Sequence, residues 1–350
     1  MPLVTDPTQT REVLDEARER GAALGAFCTE NEQTTEAILI AAQAKAQALG
    51  RADLPVMISC TVSYPPRGQM RLFTASGDEK LGLRAFFAHL EVMVSEASPY
   101  RALRVVPVLD HAFPWLDGHA LTEYADRFAI VMHDASERPL EENIRLTAAY
   151  CERVKGRVLV EGCVDEIKES GSGTAESELT TVEHATRYLK ETGVDLIVAN
   201  LGTEHRATLA DRKYSSTRAR AISAALGKIL VLHGTSCLTG EELPRLAGDG
   251  VIKVNIYTVL ARVGGQAVAR RVLDTLGNIF TEAELRELQA HGYLGRLYFT
   301  EGYRDALCGG ALGPKLDEVA EPPRRDAWVE AVTTEVLRYM DALGYNGFED

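Results

Sequence analysis

The sequence predicts a closed (β/α)8 barrel with extra C-terminal helices, on three observations. Eight short apolar runs recur along the 350 residues, a helical pattern follows each, and no long linker interrupts the series. The candidate strands are 23–27, 55–61, 104–109, 128–132, 157–161, 194–199, 229–232 and 251–254. Several are nearly continuous apolar runs, such as Val105-Val106-Pro107-Val108-Leu109, as strands covered on both faces of a parallel sheet must be. A doubly wound open sheet is the alternative, but eight units at this length favour closure.

The helices carry recognisable ends. Asp6-Pro7 can cap and open the first, whose Val13, Leu14 and Ala17 share a face. Leu140, Ile144, Ala148 and Cys151 form an apolar stripe after the fourth strand. Thr180/Glu183, Thr239/Glu242 and Thr281/Glu284 have the spacing of capping boxes, and Gly50, Gly193 and Gly227 stand where helices should stop. The chain reads as one domain over 1–350, with the barrel at about 10–280 and a helical extension at about 281–350, broken at Glu321-Pro322-Pro323. The polar stretch 169–178 is a candidate lid, since long loops after barrel strands commonly cover active sites.

Composition narrows the function. A formal charge of −13 disfavours nucleic acid or an anionic membrane, both of which demand a basic face. No run is long and apolar enough for a membrane helix, and the polar start lacks the order of a signal peptide. Six cysteines without a C-x-x-C pair read as reduced thiols, so a cytoplasmic location is expected. A resemblance to a known family, carried by the residues that follow, implies a small sugar-like substrate and a homo-oligomer, dimer or tetramer.

Barrel enzymes place their chemistry at the C-terminal ends of the strands. Asp110-His111 follow the third candidate strand, Asp134 the fourth, His205 the sixth, His233 the seventh and Asn255 the eighth. Three histidines and an open position make a catalytic zinc site, and coincidence in all three positions is the weaker explanation. His89, His119, His184 and His291 fall on helical or loop stretches and read as packing or surface residues. His133, beside Asp134, reads as structural ahead of functional.

These residues carry a resemblance to the class II, metal-dependent fructose-bisphosphate aldolase family, which includes tagatose-bisphosphate aldolases. Gly25-Ala26-Phe27 with Asn31 is similar to the family's opening strand, and Val108-Leu109-Asp110-His111 resembles its Asp-His pair. Met132-His133-Asp134-Ala135-Ser136 with Glu141-Glu142-Asn143, Gly202-Thr203-Glu204-His205, Val231-Leu232-His233-Gly234 with Ser236, and Lys253-Val254-Asn255-Ile256 with Thr258 resemble further tags in the same order. The resemblance implies zinc held by His111, His205 and His233, with Asp110 as the catalytic acid. It implies a reversible aldol cleavage through a metal-stabilised enediolate, with a base on the loop after the fifth strand. Glu166, Glu169, Glu176 and Glu178 are the candidates for that base. Thr61, Arg206, Gly234, Thr235, Ser236, Asn255, Tyr257 and Thr258 are the candidate substrate contacts. Asp134 and Cys163 are candidates to hold a second metal or to support the ligands.

The chain departs from the family pattern where the ketose phosphate is held. Arg206, Thr235 and Cys237 replace glycines and Tyr257 replaces an aspartate there, and elsewhere Cys163 replaces a glutamate that in the family can visit the metal. A Cβ can block the approach of backbone N–H groups to an anion, so fructose 1,6-bisphosphate is not the expected substrate. The alternatives are an ordinary fructose- or tagatose-bisphosphate aldolase, a metal-dependent epimerase, and a non-catalytic zinc protein of this fold.

Overall fold

A computed structural model describes residues 3–65, 68–168, 178–204, 214–303 and 313–349. Eight parallel strands close into a barrel in chain order: β1 (Leu24–Cys28), β2 (Pro55–Cys60), β3 (Arg104–Ala112), β4 (Ile130–His133), β5 (Leu159–Cys163), β6 (Leu196–Val198), β7 (Leu230–Leu232) and β8 (Val251–Ile256). Closure comes from β1, which pairs with β2 through Ala26–Met57 and with β8 through Ala26–Asn255. Apart from Arg104 at the start of β3, every strand residue is buried, because helices cover the outside while side chains fill the inside.

Five strands run further than the sequence predicts: β1 to Cys28, β4 to His133, β5 to Cys163, and β3 and β8 through polar residues of the site. The predicted third strand stops at 109, but β3 continues through Asp110 and His111 to Ala112. The predicted eighth stops at 254, but β8 continues through Asn255 to Ile256. Polar residues read as strand ends in a sequence, yet a barrel interior accepts them when they find partners.

The covering helices include α1 (Pro7–Glu19), α2 (Glu32–Ala48) and α4 (Glu79–Met93), with a short α3 (Gln69–Leu72) between the last two, then α5 (Gly118–Glu123) and α6 (Leu140–Val154). Asp6 caps α1 by accepting from the amides of Thr8 and Gln9, an arrangement worth about 1 kcal/mol, and Val13, Leu14 and Ala17 are buried as predicted. The stripe on α6 is rotated from its predicted position: Asn143, Ile144, Thr147, Tyr150 and Val154 are buried, while Ala148 and Cys151 are only partly so. The cause is polar. Asn143 donates to the carbonyl of Cys163 at 2.8 Å, and the Thr147 hydroxyl lies 3.0 Å from His133 Nδ1.

Helix α7 (Val182–Thr192) is capped by Thr181, not by Thr180, whose hydroxyl is drawn away to Asp165 at 2.7 Å. It ends at Gly193 in the left-handed region, and Gly227 closes α8 (Ser216–Leu226). Glu242 accepts from Thr239, but a 3-10 turn follows there rather than an α-helix.

The described chain divides into two compact units, Met1–Val259 with Glu335–Asp350, and Leu260–Thr334. The first holds the whole barrel. Its C-terminal segment packs against the start of β1, where Tyr345 is fully buried and accepts from the amide of Gly25. The second unit has its own cluster of Leu276, Leu285 and Tyr298, and Thr281 and Glu284 form a complete capping box there. No helix among the described residues is long and apolar enough to cross a membrane.

At the N-terminal end of the barrel, Glu16 of α1 bridges Arg51 at 2.9 Å and Arg104 of β3 at 2.5 Å. Burial alone would raise the Glu16 pKa, but the two guanidinium groups outweigh it and hold it below the ordinary value. A lowered carboxylate pKa stabilises the fold above the unfolded-state value, and that stability is lost as pH falls through the folded one. Glu16→Gln should therefore lower unfolding free energy by about 1–3 kcal/mol at neutral pH. The gap from wild type should narrow in acid, and urea titrations at both pH values measure it.

Candidate active site

Asp110, His111 and His233 converge at the C-terminal mouth of the barrel. A ring nitrogen from each histidine and a carboxylate oxygen of Asp110 lie within 4.8 Å of one another, and all three residues are buried. The backbone is bent to achieve this. Strands β3 and β4 fall out of register between Leu109 and Ala112, and His111 has φ 42, the only non-glycine positive φ among the described residues. Such a conformation costs on the order of 1–3 kcal/mol and persists only when its surroundings enforce it.

Asp134 supplies part of that enforcement, 2.7 Å from His111 Nδ1. Burial would raise the Asp134 pKa, but hydrogen bonds from His111 and Ser136 bring it down to about 2. Burial pushes His111 down, yet Asp110 and Asp134 raise it overall. Burial holds the His233 pKa down to about 3, which leaves the ring neutral with a lone pair to offer.

Beneath these groups runs a polar network. Asn255 donates to Asp110 Oδ1 at 2.7 Å, and Cys28 Sγ lies 3.7 Å from Oδ2. Lys253 donates to Asn255 Oδ1 at 2.6 Å, and its ammonium is 2.8 Å from Glu161 Oε2. Glu161 Oε1 in turn lies 3.5 Å from His233 Nε2. The sequence alone assigns no role to Lys253, Glu161 or Cys28, although the first two carry a signal. Lys253 shares a face of β8 with Asn255, and Glu161 is a charge in a buried strand.

This donor set fits a divalent metal ion. Three buried carboxylates, Asp110, Asp134 and Glu161, and the buried ammonium of Lys253 surround the neutral His233. Uncompensated buried charge is costly, and a cation between His111 and His233 would offset it. Imidazole and carboxylate donors suit a borderline ion such as zinc, and a ligand histidine commonly passes its second ring N–H to a carboxylate, as His111 does to Asp134.

The other predicted residues have varied places. Thr61, Gly234, Thr235, Ser236, Asn255 and Tyr257 line the same cavity as the cluster, with Thr258 beside them. Thr61 accepts from the amide of Gln69, and the Thr235 hydroxyl donates to the carbonyl of Asn255, so both hydroxyls serve the fold. Tyr257 donates to Glu30 at 2.6 Å. Cys163 sits apart from the cluster, its thiol 3.3 Å from the carbonyl of Asp165, and burial raises its pKa well above the ordinary value. His133 packs flat on Tyr150, away from the cluster, in keeping with a structural residue.

His205 and Arg206 lie outside the described residues, as do Glu169, Glu176 and most of the candidate lid. Glu178 is ion-paired with Lys168. Glu166 lines a second cavity with Tyr64, His111 and Asp134, and burial together with nearby Glu137 raises its pKa.

With the fold and the site in view, comparison with known proteins is consistent. The family model for fructose-bisphosphate aldolase class-II matches residues 8–345. A 6-phospho-5-dehydro-2-deoxy-D-gluconate aldolase from Shouchella clausii is 35% identical over 44% of this chain and 53% of its own length. A sulfofructosephosphate aldolase from Alkalicoccus urumqiensis is 26% identical over 71% of this chain and 79% of its own. Fructose-bisphosphate aldolase from Campylobacter jejuni shares the fold, with a TM-score of 0.72 at 18% identity over 97% of this chain and 95% of that one.

Gly234 offers a direct check on the cavity wall. It has φ 70, and an added Cβ would come within 2.7 Å of the Glu204 carbonyl oxygen and 2.9 Å of its amide nitrogen. Gly234→Ala should lower unfolding free energy by about 1–3 kcal/mol. An unchanged denaturation midpoint would contradict that close approach.

Proposed function

The chain belongs to the class-II fructose-bisphosphate aldolase family, and from that membership we propose a zinc-dependent aldolase that cleaves a ketose other than fructose 1,6-bisphosphate. The observation that carries the reading is the convergence of Asp110, His111 and His233 at the barrel mouth. His111 and His233, with His205, would hold the ion, and Asp134 would orient His111. When bound, the ion supplies Lewis-acid polarisation of the substrate carbonyl.

The remaining roles fall to the protein. Asp110 exchanges a proton with the oxygen that alternates between aldehyde and hydroxyl, and Asn255 holds its carboxylate in line. We assign to Glu166, on the loop after β5 and lining a cavity with His111 and Asp134, the role of taking a proton from the donor carbon. Its raised pKa moves it toward the range in which a carboxylate works as a base. Burial of the cluster keeps bulk water from the charges that develop.

The substrate follows from what replaces the phosphate cradle. Tyr257 brings a ring to the cavity wall and gives its hydroxyl to Glu30, while Thr235 spends its hydroxyl on Asn255. A ketose whose anionic group is a carboxylate, a sulfonate or a differently placed phosphate suits this wall better than the bisphosphate of fructose.

The purified protein should hold about one zinc per chain. His111→Ala, His205→Ala and His233→Ala should each remove it and leave a folded barrel, and Asp134→Asn should weaken metal affinity about 10- to 100-fold. Full zinc by elemental analysis in any histidine variant would strike that residue from the ligand set.

Asp110→Asn should keep the metal and lower turnover by roughly two to four orders of magnitude. The substrate is tested with a panel of fructose and tagatose 1,6-bisphosphates, 6-phospho-5-dehydro-2-deoxy-D-gluconate and sulfofructosephosphate. A kcat/KM of about 10⁴ M⁻¹s⁻¹ or more on fructose 1,6-bisphosphate would sink the substrate assignment while leaving the aldolase chemistry intact.

A further inference from the structure

We propose that Lys253 is a positioning residue: it sets the polarity of the Asn255 side-chain amide and, through it, holds the Asp110 carboxylate in the site. The inference rests on reading Asp110 as the proton-transfer group. The geometry beneath it does not depend on that reading.

Asn255 stands between two groups of opposite character. Lys253 Nζ lies 2.6 Å from its Oδ1, and Asp110 Oδ1 lies 2.7 Å from its Nδ2. An ammonium has three donors and no acceptor, and an ionised carboxylate only accepts. With both neighbours present the amide has one workable orientation, its oxygen to the lysine and its NH2 to the aspartate. Turned over, it would set oxygen against oxygen on one side and two donors against each other on the other. Which way an asparagine faces is ordinarily ambiguous, and here the chemistry of its neighbours decides it.

The expense of the arrangement also calls for an explanation. Lys253 and Glu161 are fully buried, and their ion pair is closed at 2.8 Å. Burying such a pair costs several kcal/mol per ion before attraction repays it, and apolar residues of similar volume often serve stability as well or better. A pair kept only for stability has no need of a third partner. Lys253 has one, and that partner is the amide on Asp110. Lysine and asparagine are two residues apart on β8, so both side chains point inward from one face of the strand. The strand thus fixes their separation, and Glu161 on β5 restrains the ammonium from the other side of the barrel. The carboxylate at the end of the relay receives a donor of set position instead of a rotatable one.

Removing Lys253 alone would leave Glu161 as an unpaired buried charge, so the test is made in a Glu161→Gln background. In the full-length protein as purified, Lys253→Met in that background should lower kcat on the order of 10²-fold, with a much smaller change in KM. Asn255→Leu should do the same. The two together should be no worse than Asn255→Leu alone, because one residue acts through the other. A readout independent of activity comes from selective ¹⁵N-asparagine labelling, with the Asn255 side-chain signal assigned by its loss in Asn255→Leu. Its NH2 hydrogens should be protected from exchange in the background protein and lose that protection with Lys253→Met.

Thermal melting and zinc content establish that the variants are folded and loaded. If the methionine variant does not fold, Lys253→Gln, polar but uncharged, takes its place with the same expected direction. A kcat within about twofold of the background, additive losses in the cycle, or unchanged amide protection would each overturn the proposal. If no ketose in the panel is cleaved, the substrate assignment fails, and amide protection alone still decides the role of Lys253.

Discussion

The contact between His111 Nδ1 and Asp134 Oδ2, 2.7 Å long, spans the place where β3 and β4 fall out of step, and the candidate site is arranged around it. A regular β3 would alternate its side chains between barrel interior and helix layer, sending Asp110 and His111 to opposite faces. The register shift and the left-handed backbone at His111 break that alternation, so that adjacent residues both reach the mouth of the barrel. The strain is repaid locally. Asp134 holds the ring, the His111 amide points to the sulfur of Met132 at 3.4 Å, and the Tyr64 ring covers the imidazole at a centroid distance of 4.6 Å. Function and backbone distortion therefore share one residue, the usual arrangement where a site needs geometry that regular structure does not supply.

The site contains two kinds of group. On the mouth side are donors suited to a cation, and beneath them a relay of fixed polarity runs from Glu161 through Lys253 and Asn255 to Asp110. The parts are buried together, so electrostatic interactions among them are stronger than they would be in water and an unpaired member is costlier. Each carboxylate accordingly has a distinct companion: Asp134 has His111 and Ser136, Asp110 has Asn255, and Glu161 has Lys253.

Much of this was legible in the sequence because barrels obey a strict alternation. Apolar runs located all eight strands, and the polar residues just beyond them located Asp110, Asp134, His233 and Asn255 at one rim. The errors share a cause. The expected third and eighth strands stop before Asp110 and Asn255, and the expected α6 stripe runs through apolar residues, whereas Asn143 and Thr147 face the barrel. A hydrophobic pattern assumes that buried means apolar, whereas Asn143, Thr147, Glu161 and Lys253 are buried because each meets a polar partner across the fold. That pairing is a property of three-dimensional proximity and leaves little periodic trace in the chain.

The same distinction separates the family's shared chemistry from this chain's own specificity. Asp110 and His111 lie on β3, and Asp134 and His233 follow directly on β4 and β7, where the barrel's register fixes them and a substitution would disturb the barrel itself. The candidate substrate contacts sit on the turns that follow β7 and β8, at Gly234-Thr235-Ser236 and Tyr257-Thr258. Thr235 shows how such a turn changes its task without unfolding: its hydroxyl satisfies the Asn255 carbonyl and steadies the strand end that orients Asp110. Tyr257 does likewise by tying the end of β8 to Glu30 just beyond β1, across the seam where the barrel closes. Both side chains lend rigidity to the framework behind Asp110. A divergent specificity is thus compatible with an undisturbed reaction centre, since the side chains that alter the wall also brace the strand that carries the chemistry.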